Sequence, residues 1–383
     1  MRAVLLNGHG GFDRLELRDD VVVPQPAAGQ VLVKVAAAAV NNTDINTRIG
    51  WYSPDLVTDM PDGAEPGPPS RRTDISWSGD VPTFPRIQGA DACGRIVSVG
   101  PGVDAGRIGE RIIVEPVFRD PDDPQAHPVY FGSEVDGAFA EYTIVPSRHA
   151  LRVDCSWTDV ELASIPCSYS AAENMLSRAR VVAGETVVVT GASGGVGSAA
   201  VQLAKRRGAR VIAIAASAKH HEVKELGADT VLSRDSDLSK TLGRKSVDAV
   251  IDVVGGPAWS QLLAVLRTGG RYATSGAIGG PWVEFDLRVL YLNDLTLLGC
   301  TVLDPHVFTD LVGHIERGEI RPVVAATFSL KDIVAAQQLF LTKQHVGKIV
   351  LVVAAGKLRN TPWQDWGDEV GRGAVPGWAG GGG

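Results

Sequence analysis

Cysteine is scarce in this chain of 383 residues, and the four present, Cys93, Cys155, Cys167 and Cys300, lie far apart and form no CxxC pair. That spacing excludes a disulfide framework and a zinc ribbon, and it fits a reducing compartment. Long apolar runs are missing too. None approaches the ~18 residues of a membrane span, and the opening MRAVLLNGHGG lacks the apolar stretch of a signal peptide. A cytoplasmic protein with no membrane partner is expected. Nor is there an excess of positive charge: 37 Lys and Arg against 44 Asp and Glu leave a net charge of −7, which argues against nucleic acid as a partner. With 44% hydrophobic and 21% charged residues, the chain lacks the composition of a disordered or fibrous protein. At roughly 100 to 200 residues per domain, its length predicts two domains.

Two patterns divide the chain. From Met1 to about Val145 the apolar runs are short and β-like: AVLL at 3–6, VLVKV at 31–35, GRIVSVG at 94–100, ERIIVEP at 110–116 and AEYTIVP at 140–146. They predict a β-rich, partly open barrel. The stretches 55–85 and 117–136 are rich in Pro, Asp and Gly and read as irregular surface excursions flanking a cleft. After Cys155, strands alternate with amphipathic helices, the signature of a parallel, doubly wound α/β sheet. The expected strands are 186–190, 210–215, 248–254, 270–276 and 296–302, and the expected helices include 158–165, 195–207, 219–226 and 257–266. Near residue 304 this pattern ends, and the apolar strand at 348–353 is expected to return to the first domain. The predicted domains are therefore 1–155 with 304–383, and 156–303. The tail beyond Ala354 shows no periodicity, and its last dozen residues are expected to be mobile unless Trp363, Trp366 or Trp378 pins them.

The segment TVVVTGASGGVGSAAVQLAK at 186–205 carries the clearest chemistry: a β-branched strand, a glycine turn and an alanine-rich helix. Such a turn presents backbone N–H groups and a positive helix end to a diphosphate, so Ala192, Ser193, Gly194, Gly195, Val196 and Gly197 are candidate cofactor residues. Gly194, Gly195 and Gly197 are read as permitting the sharp turn, the approach of phosphate and close helix–strand packing. The strict GxGxxG spacing is absent. An NAD-selective site places Asp or Glu at the end of the second strand, about 20 residues on. Ala215 and Ala216 stand there instead, followed by Ser217 and Lys219, a hydroxyl and a cation suited to a 2′-phosphate, with Arg234 near enough to help. NADP(H) is the expected cofactor. The alternative for Lys219 is the start of a solvated helix.

The chain resembles the medium-chain dehydrogenase/reductase superfamily, and within it the zinc-free quinone oxidoreductase and enoyl reductase branch. The resemblance covers about residues 1–353. It rests on MRAVLL, VLVKVAAAAVNNTD at 31–44, GADACGRIVSVGPGV at 89–103, GERIIV at 109–114, GAFAEYTIVP at 137–146, the glycine turn, ELGAD at 225–229, DVVGG at 252–256, LRTGGRYATSG at 266–276 and VGKIVLVV at 346–353. It implies a GroES-like, partly open β-barrel catalytic domain plus a doubly wound Rossmann domain, with the active site in the cleft between them. From the matched segments, Val254, Ser275, Gly276 and Lys348 join the expected cofactor residues.

The superfamily's zinc ligands map onto Asn41, Ala90 and Cys167, of which only Cys167 is a good ligand, so no metal is expected. Cys167 then reads as a small buried hydrophobe or as a reactive thiol at the pocket. The resemblance places Asn41 by the nicotinamide and Tyr52 against the substrate, where a phenol donates a hydrogen bond to a carbonyl gaining negative charge. These are the expected catalytic residues, the alternative for Tyr52 being a passive cleft wall. Asp44 and Asp91 read as hydrogen-bond anchors. The implied function is hydride transfer from NADPH to a small-molecule quinone or α,β-unsaturated carbonyl. The alternatives are a zinc-dependent alcohol dehydrogenase recruiting metal through Cys167 and Asp91, and an NADPH-binding protein without catalysis. The apolar segment Thr296 to Val302 reads as an unpaired sheet edge and predicts a homodimer.

Overall fold

The structure is a computed structural model and describes residues 1–52, 81–120, 123 and 126–353. Most of the 55–85 stretch and the whole tail beyond 353 therefore lie outside the described residues. Among the described residues, no helix is long and apolar enough to cross a membrane.

The central part of the chain forms a six-stranded parallel sheet. Its spatial order is Thr230–Ser233, Arg210–Ala215, Thr186–Val189, Val247–Asp252, Leu266–Thr274 and Thr296–Gly299. In chain order this is 3-2-1-4-5-6, so the direction of winding reverses between Thr186–Val189 and Val247–Asp252, where a ligand crevice opens at the strand ends. The strands are near-continuous apolar runs because helices cover both faces. Two elements depart from expectation. Thr230–Ser233 is an additional strand too short to show periodicity, and the edge strand stops at Gly299, three residues before Val302.

The second sheet is built mainly from the amino-terminal part. Strand Gln30–Ala39 is its hub, pairing antiparallel with Asp91–Val99 along its length, with Tyr142–Pro146 through residues 30–34, and with Lys348–Val352 through residues 37–39. A strand with three partners produces a branched, partly open barrel rather than a flat sheet. Lys348–Val352 also pairs parallel with Val324–Ser329, a strand without a sequence signal of its own. The 117–136 stretch is not wholly irregular: Val117–Phe118 and Val129–Tyr130 form a small antiparallel ladder despite the surrounding prolines.

One apolar core runs through both sheets. Leu162, Ile165, Tyr169, Met175 and Leu176, from helices Asp159–Ala163 and Pro166–Arg178 and their junction, belong to the same cluster as Ala37, Cys93 and Ile113 on one side and Val187, Val189 and Ala200 on the other. The first helix starts cleanly because Thr158 and Glu161 form a capping box. The cleft between the sheets is thus hinged on buried hydrocarbon.

Candidate active site

The glycine turn forms the floor of the cleft. After strand Thr186–Val189 the chain reverses at Gly191, whose φ of +56° a side chain would resist, and Gly194 donates to Gly191 O at 2.9 Å. The sharp turn belongs to Gly191, not to Gly194, which keeps an ordinary φ of −78° as the N-cap of helix Gly195–Arg206. Gly197 provides the close helix–strand packing, since a Cβ there would lie 2.2 Å from Gly191 O. Over Gly194 the space is open, with only Gly191 O as near as 3.4 Å from a Cβ. The first-turn N–H groups of Gly195, Val196 and Gly197 have no intrahelical acceptor, so this cradle fits a diphosphate. Ala192 and Ser193 are buried within it, Ala192 donating to Ile214 O at 3.1 Å and Ser193 O accepting from Gly347 at 2.9 Å.

Across the crevice, Val253, Ser275 and Gly276 line the cavity, but Val254 does not. Its N–H is held by Asp252 at 2.9 Å and its side chain packs toward Gly191 and Gly279. Asp252 also receives the hydroxyls of Thr190 and Tyr272, making it the buried anchor of this wall.

At the end of the second strand, Ser217 Oγ lies 2.9 Å from Ser233 Oγ, and Arg234 is exposed. Lys219 is neither a free surface cation nor the start of a solvated helix. It is 7% exposed, and its ammonium donates to Lys343 O at 2.5 Å, His345 O at 2.9 Å and Ser193 Oγ at 3.4 Å. The segment 343–347 crosses the glycine turn, and its backbone carbonyls capture the lysine. Burial, with help from nearby Arg234, lowers the Lys219 pKa.

At the opposite end of the cavity stands a buried polar network. Helix Asn42–Ile49 begins at Asn41, whose N–H donates to Asp44 Oδ2 at 2.8 Å, and Gly89 N–H donates to Asp44 Oδ1 at 3.1 Å. The anchoring role expected for Asp44 matches these bonds, although burial pushes its pKa up to about 7. The Asn41 amide donates to Asp91 Oδ2 at 2.8 Å and to Ala39 O at 3.2 Å, and its Oδ1 accepts from Lys348. Both amide N–H groups are therefore occupied, so Asn41 has none left to polarise a ligand. Lys348 is 3% exposed and sits 2.8 Å from Asp91 Oδ2 and 3.1 Å from Val40 O, while its stem lies against Gly195. Its ammonium is committed to the Asp91 carboxylate rather than turned to a phosphate. Asp91 accepts a further bond from the Cys167 backbone N–H at 2.6 Å.

The residues present do not fit a catalytic zinc. Ala90 offers no donor, the Asn41 oxygen is bound to an ammonium, and Lys348 already supplies the positive charge beside Asp91. Cys167 lines the cavity, but burial and the neighbouring Asp91 raise its thiol pKa, so it is neither a ready thiolate ligand nor an activated nucleophile. Among the described residues no three His, Cys, Asp or Glu side chains gather as a metal site.

Tyr52 lines the same cavity. Its hydroxyl donates to Thr43 Oγ1 at 3.4 Å, and burial pushes its pKa up to about 12, with hydrogen bonds to Thr43 and Asn46 pulling the other way. The cavity, about 580 Å³, runs from Gly195 and Ser275 to Tyr52, Tyr130 and Asn46. Sequence reasoning missed Thr43 and Asn46, although their spacing of three on a helix that starts at Asn41 was the available signal.

This architecture has known counterparts. Residues 195–317 match the Zinc-binding dehydrogenase family and residues 69–154 the Alcohol dehydrogenase GroES-like domain family. The acryloyl-coenzyme A reductase of Metallosphaera sedula is 30% identical over 365 residues, covering 92% of this chain and 99% of that protein. The chain belongs to the medium-chain dehydrogenase/reductase superfamily. The quinone oxidoreductase of Rattus norvegicus is 28% identical, over 92% of this chain and 98% of its own. A solved structure assigned as an alcohol dehydrogenase, from Sinorhizobium meliloti 1021, superimposes with a TM-score of 0.84 at 45% identity, over 92% of this chain and 96% of its own. The superfamily is one of oxidoreductases, and the central sheet is its Rossmann-type nucleotide-binding domain. The zinc-ligand positions at Asn41 and Cys167 lie outside both matched segments.

Proposed function

We propose that this oxidoreductase reduces quinones or α,β-unsaturated carbonyl compounds with NADPH and without a metal ion. The observation that carries the reading is the buried Lys348–Asp91 pair, which locks Asn41 where a metal ligand would stand, while the Tyr52 phenol lines the same cavity. When bound, NADPH supplies a hydride from nicotinamide C4. The balanced reaction takes up one proton as well: an enone becomes the saturated ketone, a quinone the hydroquinone, and NADPH becomes NADP⁺. With its pKa near 12, the Tyr52 phenol keeps its proton throughout the neutral range and can donate a hydrogen bond to a carbonyl oxygen as negative charge builds there. Asn41, saturated by Asp91, Ala39 and Lys348, holds the shape of the wall beside it.

Preference for NADPH over NADH rests on the missing carboxylate after Ala215, the Ser217 hydroxyl and the exposed cation of Arg234. Lys219 contributes by tying segment 343–345 to the glycine turn. A homodimer belongs to the same proposal. Thr296–Gly299 is the sheet's edge strand, and Trp282, Leu287, Tyr291 and Leu292 are exposed in the segment that leads to it.

Tyr52→Phe tests the chemistry. Turnover of an enone should fall by roughly ten- to a thousandfold while NADPH affinity stays constant, because the lost bond strengthens only in the transition state. Full activity in the variant on both enones and quinones would make Tyr52 a passive wall. A wild-type protein that binds NADPH but turns over neither substrate class would be a binding protein instead.

A further inference from the structure

Helix Asn42–Ile49 presents Thr43 and Asn46 to the cavity beside Tyr52, one helical turn apart. Thr43 has a partner in the Tyr52 hydroxyl. Asn46 is only half satisfied. A hydrogen bond with Tyr52 engages its side chain, while its Oδ1 is buried with no hydrogen-bond partner among the described residues. Buried acceptors are ordinarily paired, and one left open on a cavity wall calls for a donor carried by the ligand.

We propose that Asn46 is a specificity-determining residue that selects substrates bearing a hydroxyl or amide N–H close to the carbonyl that Tyr52 holds. The spacing follows from the amide group. Its nitrogen and oxygen hang on one carbon, so a carbonyl oxygen at Tyr52 and a donor at Asn46 Oδ1 are near neighbours in the ligand, on the α-carbon or one carbon beyond. A plain hydrocarbon substituent at that place would leave the acceptor dry and unpaired, and the site would discriminate against it. The inference rests on the reductase reading only in taking Tyr52 as the group that meets the carbonyl.

The experiment compares a β-hydroxy ketone with the same ketone carrying methyl in place of the hydroxyl. Each is titrated by tryptophan fluorescence into protein saturated with NADP⁺, so that binding is read without turnover. Wild type should bind the hydroxy ketone about tenfold more tightly. In Asn46→Leu the ratio should fall to about one, with the methyl compound bound no worse and NADP⁺ affinity unchanged, the latter showing that the fold is intact. Asn46→Asp, which keeps an acceptor, should retain the preference. The matching enone pair, assayed with NADPH, should show the same preference in KM. Equal binding of the two ketones by wild type, or a preference that survives in Asn46→Leu, would overturn the proposal. If neither enone is reduced while the binding preference holds, the role of Asn46 stands and the reductase reading fails.

Discussion

Replacing Lys348 with Met removes the ammonium that faces Asp91 among the described residues, and the consequences can be worked from the contacts. Lys348 Nζ is 2.8 Å from Asp91 Oδ2 and 3.1 Å from Val40 O, and it also holds Asn41 Oδ1. In the variant the Asp91 carboxylate, 0% exposed, keeps the Asn41 amide at 2.8 Å and the Cys167 N–H at 2.6 Å but loses its counter-charge. Breaking a buried pair from one side costs about 3–5 kcal/mol, chiefly because the remaining charge stays desolvated. Neutralising that charge should return most of the loss. The double variant Lys348→Met/Asp91→Asn is therefore expected to recover at least about 2 kcal/mol over the single one, as coupled neighbours do. Urea unfolding followed by tryptophan fluorescence reads this directly. With a slope of about 3 kcal/mol/M, the Lys348→Met midpoint should fall by roughly 1 to 1.7 M and the double variant should regain much of it. If the single and double variants unfold within about 0.5 kcal/mol of each other, the pair is not coupled, and its place in holding Asn41 falls with it.

NADPH should bind at least tenfold more tightly than NADH, about 1.4 kcal/mol, and Arg234→Ala should erode that preference with little change in NADH affinity; equal affinities in a wild-type fluorescence titration would refute it. Light scattering at micromolar concentration should give a mass at least twice the 40.4 kDa of the chain, and a monomeric mass would contradict the edge-strand dimer. Burial and the neighbouring Lys343, Lys219 and Lys348 lower the His345 pKa from 6.5 to about 4. The unfolded chain therefore binds the extra proton between these values, so the contribution of His345 to stability is present above pH 6.5 and lost as pH falls toward 4. Asp44, raised from 3.8 to about 7, acts oppositely: its contribution is present below pH 3.8 and lost as pH rises through 7. Thermal melts of wild type and His345→Phe should isolate the first effect, the variant losing less stability on acidification; parallel curves would show that His345 does not titrate as argued.

Local pattern determined the order of secondary structure and the place of the nucleotide. The apolar runs after Cys155 are spaced as alternating strands and helices, and nearly all of the expected elements form within a few residues of their predicted bounds. The glycine turn was readable because strand, turn and helix are consecutive in the chain. Its internal division of labour was not, since the positive φ of Gly191 depends on how the helix docks over the strand. Short strands such as Thr230–Ser233 and Val117–Phe118 exist only through their partners and leave no period to detect.

The site's electrostatics were decided by tertiary contacts. Lys348 and Asn41 stand 307 positions apart, and Asp91 lies 50 from Asn41, yet the three meet because Lys348–Val352 pairs with the end of Gln30–Ala39. Lys219 shows the same limit in reverse. From its neighbours it is a lysine at the start of a helix, suited to solvent or phosphate, and only the passage of residues 343–345 over the glycine turn makes it a buried clamp on two carbonyls. Burial, which sets both charge pairing and pKa, is a property of what the rest of the chain brings alongside. Sequence pattern decides which residue types are available to the site, and long-range packing decides which of them remain free to act.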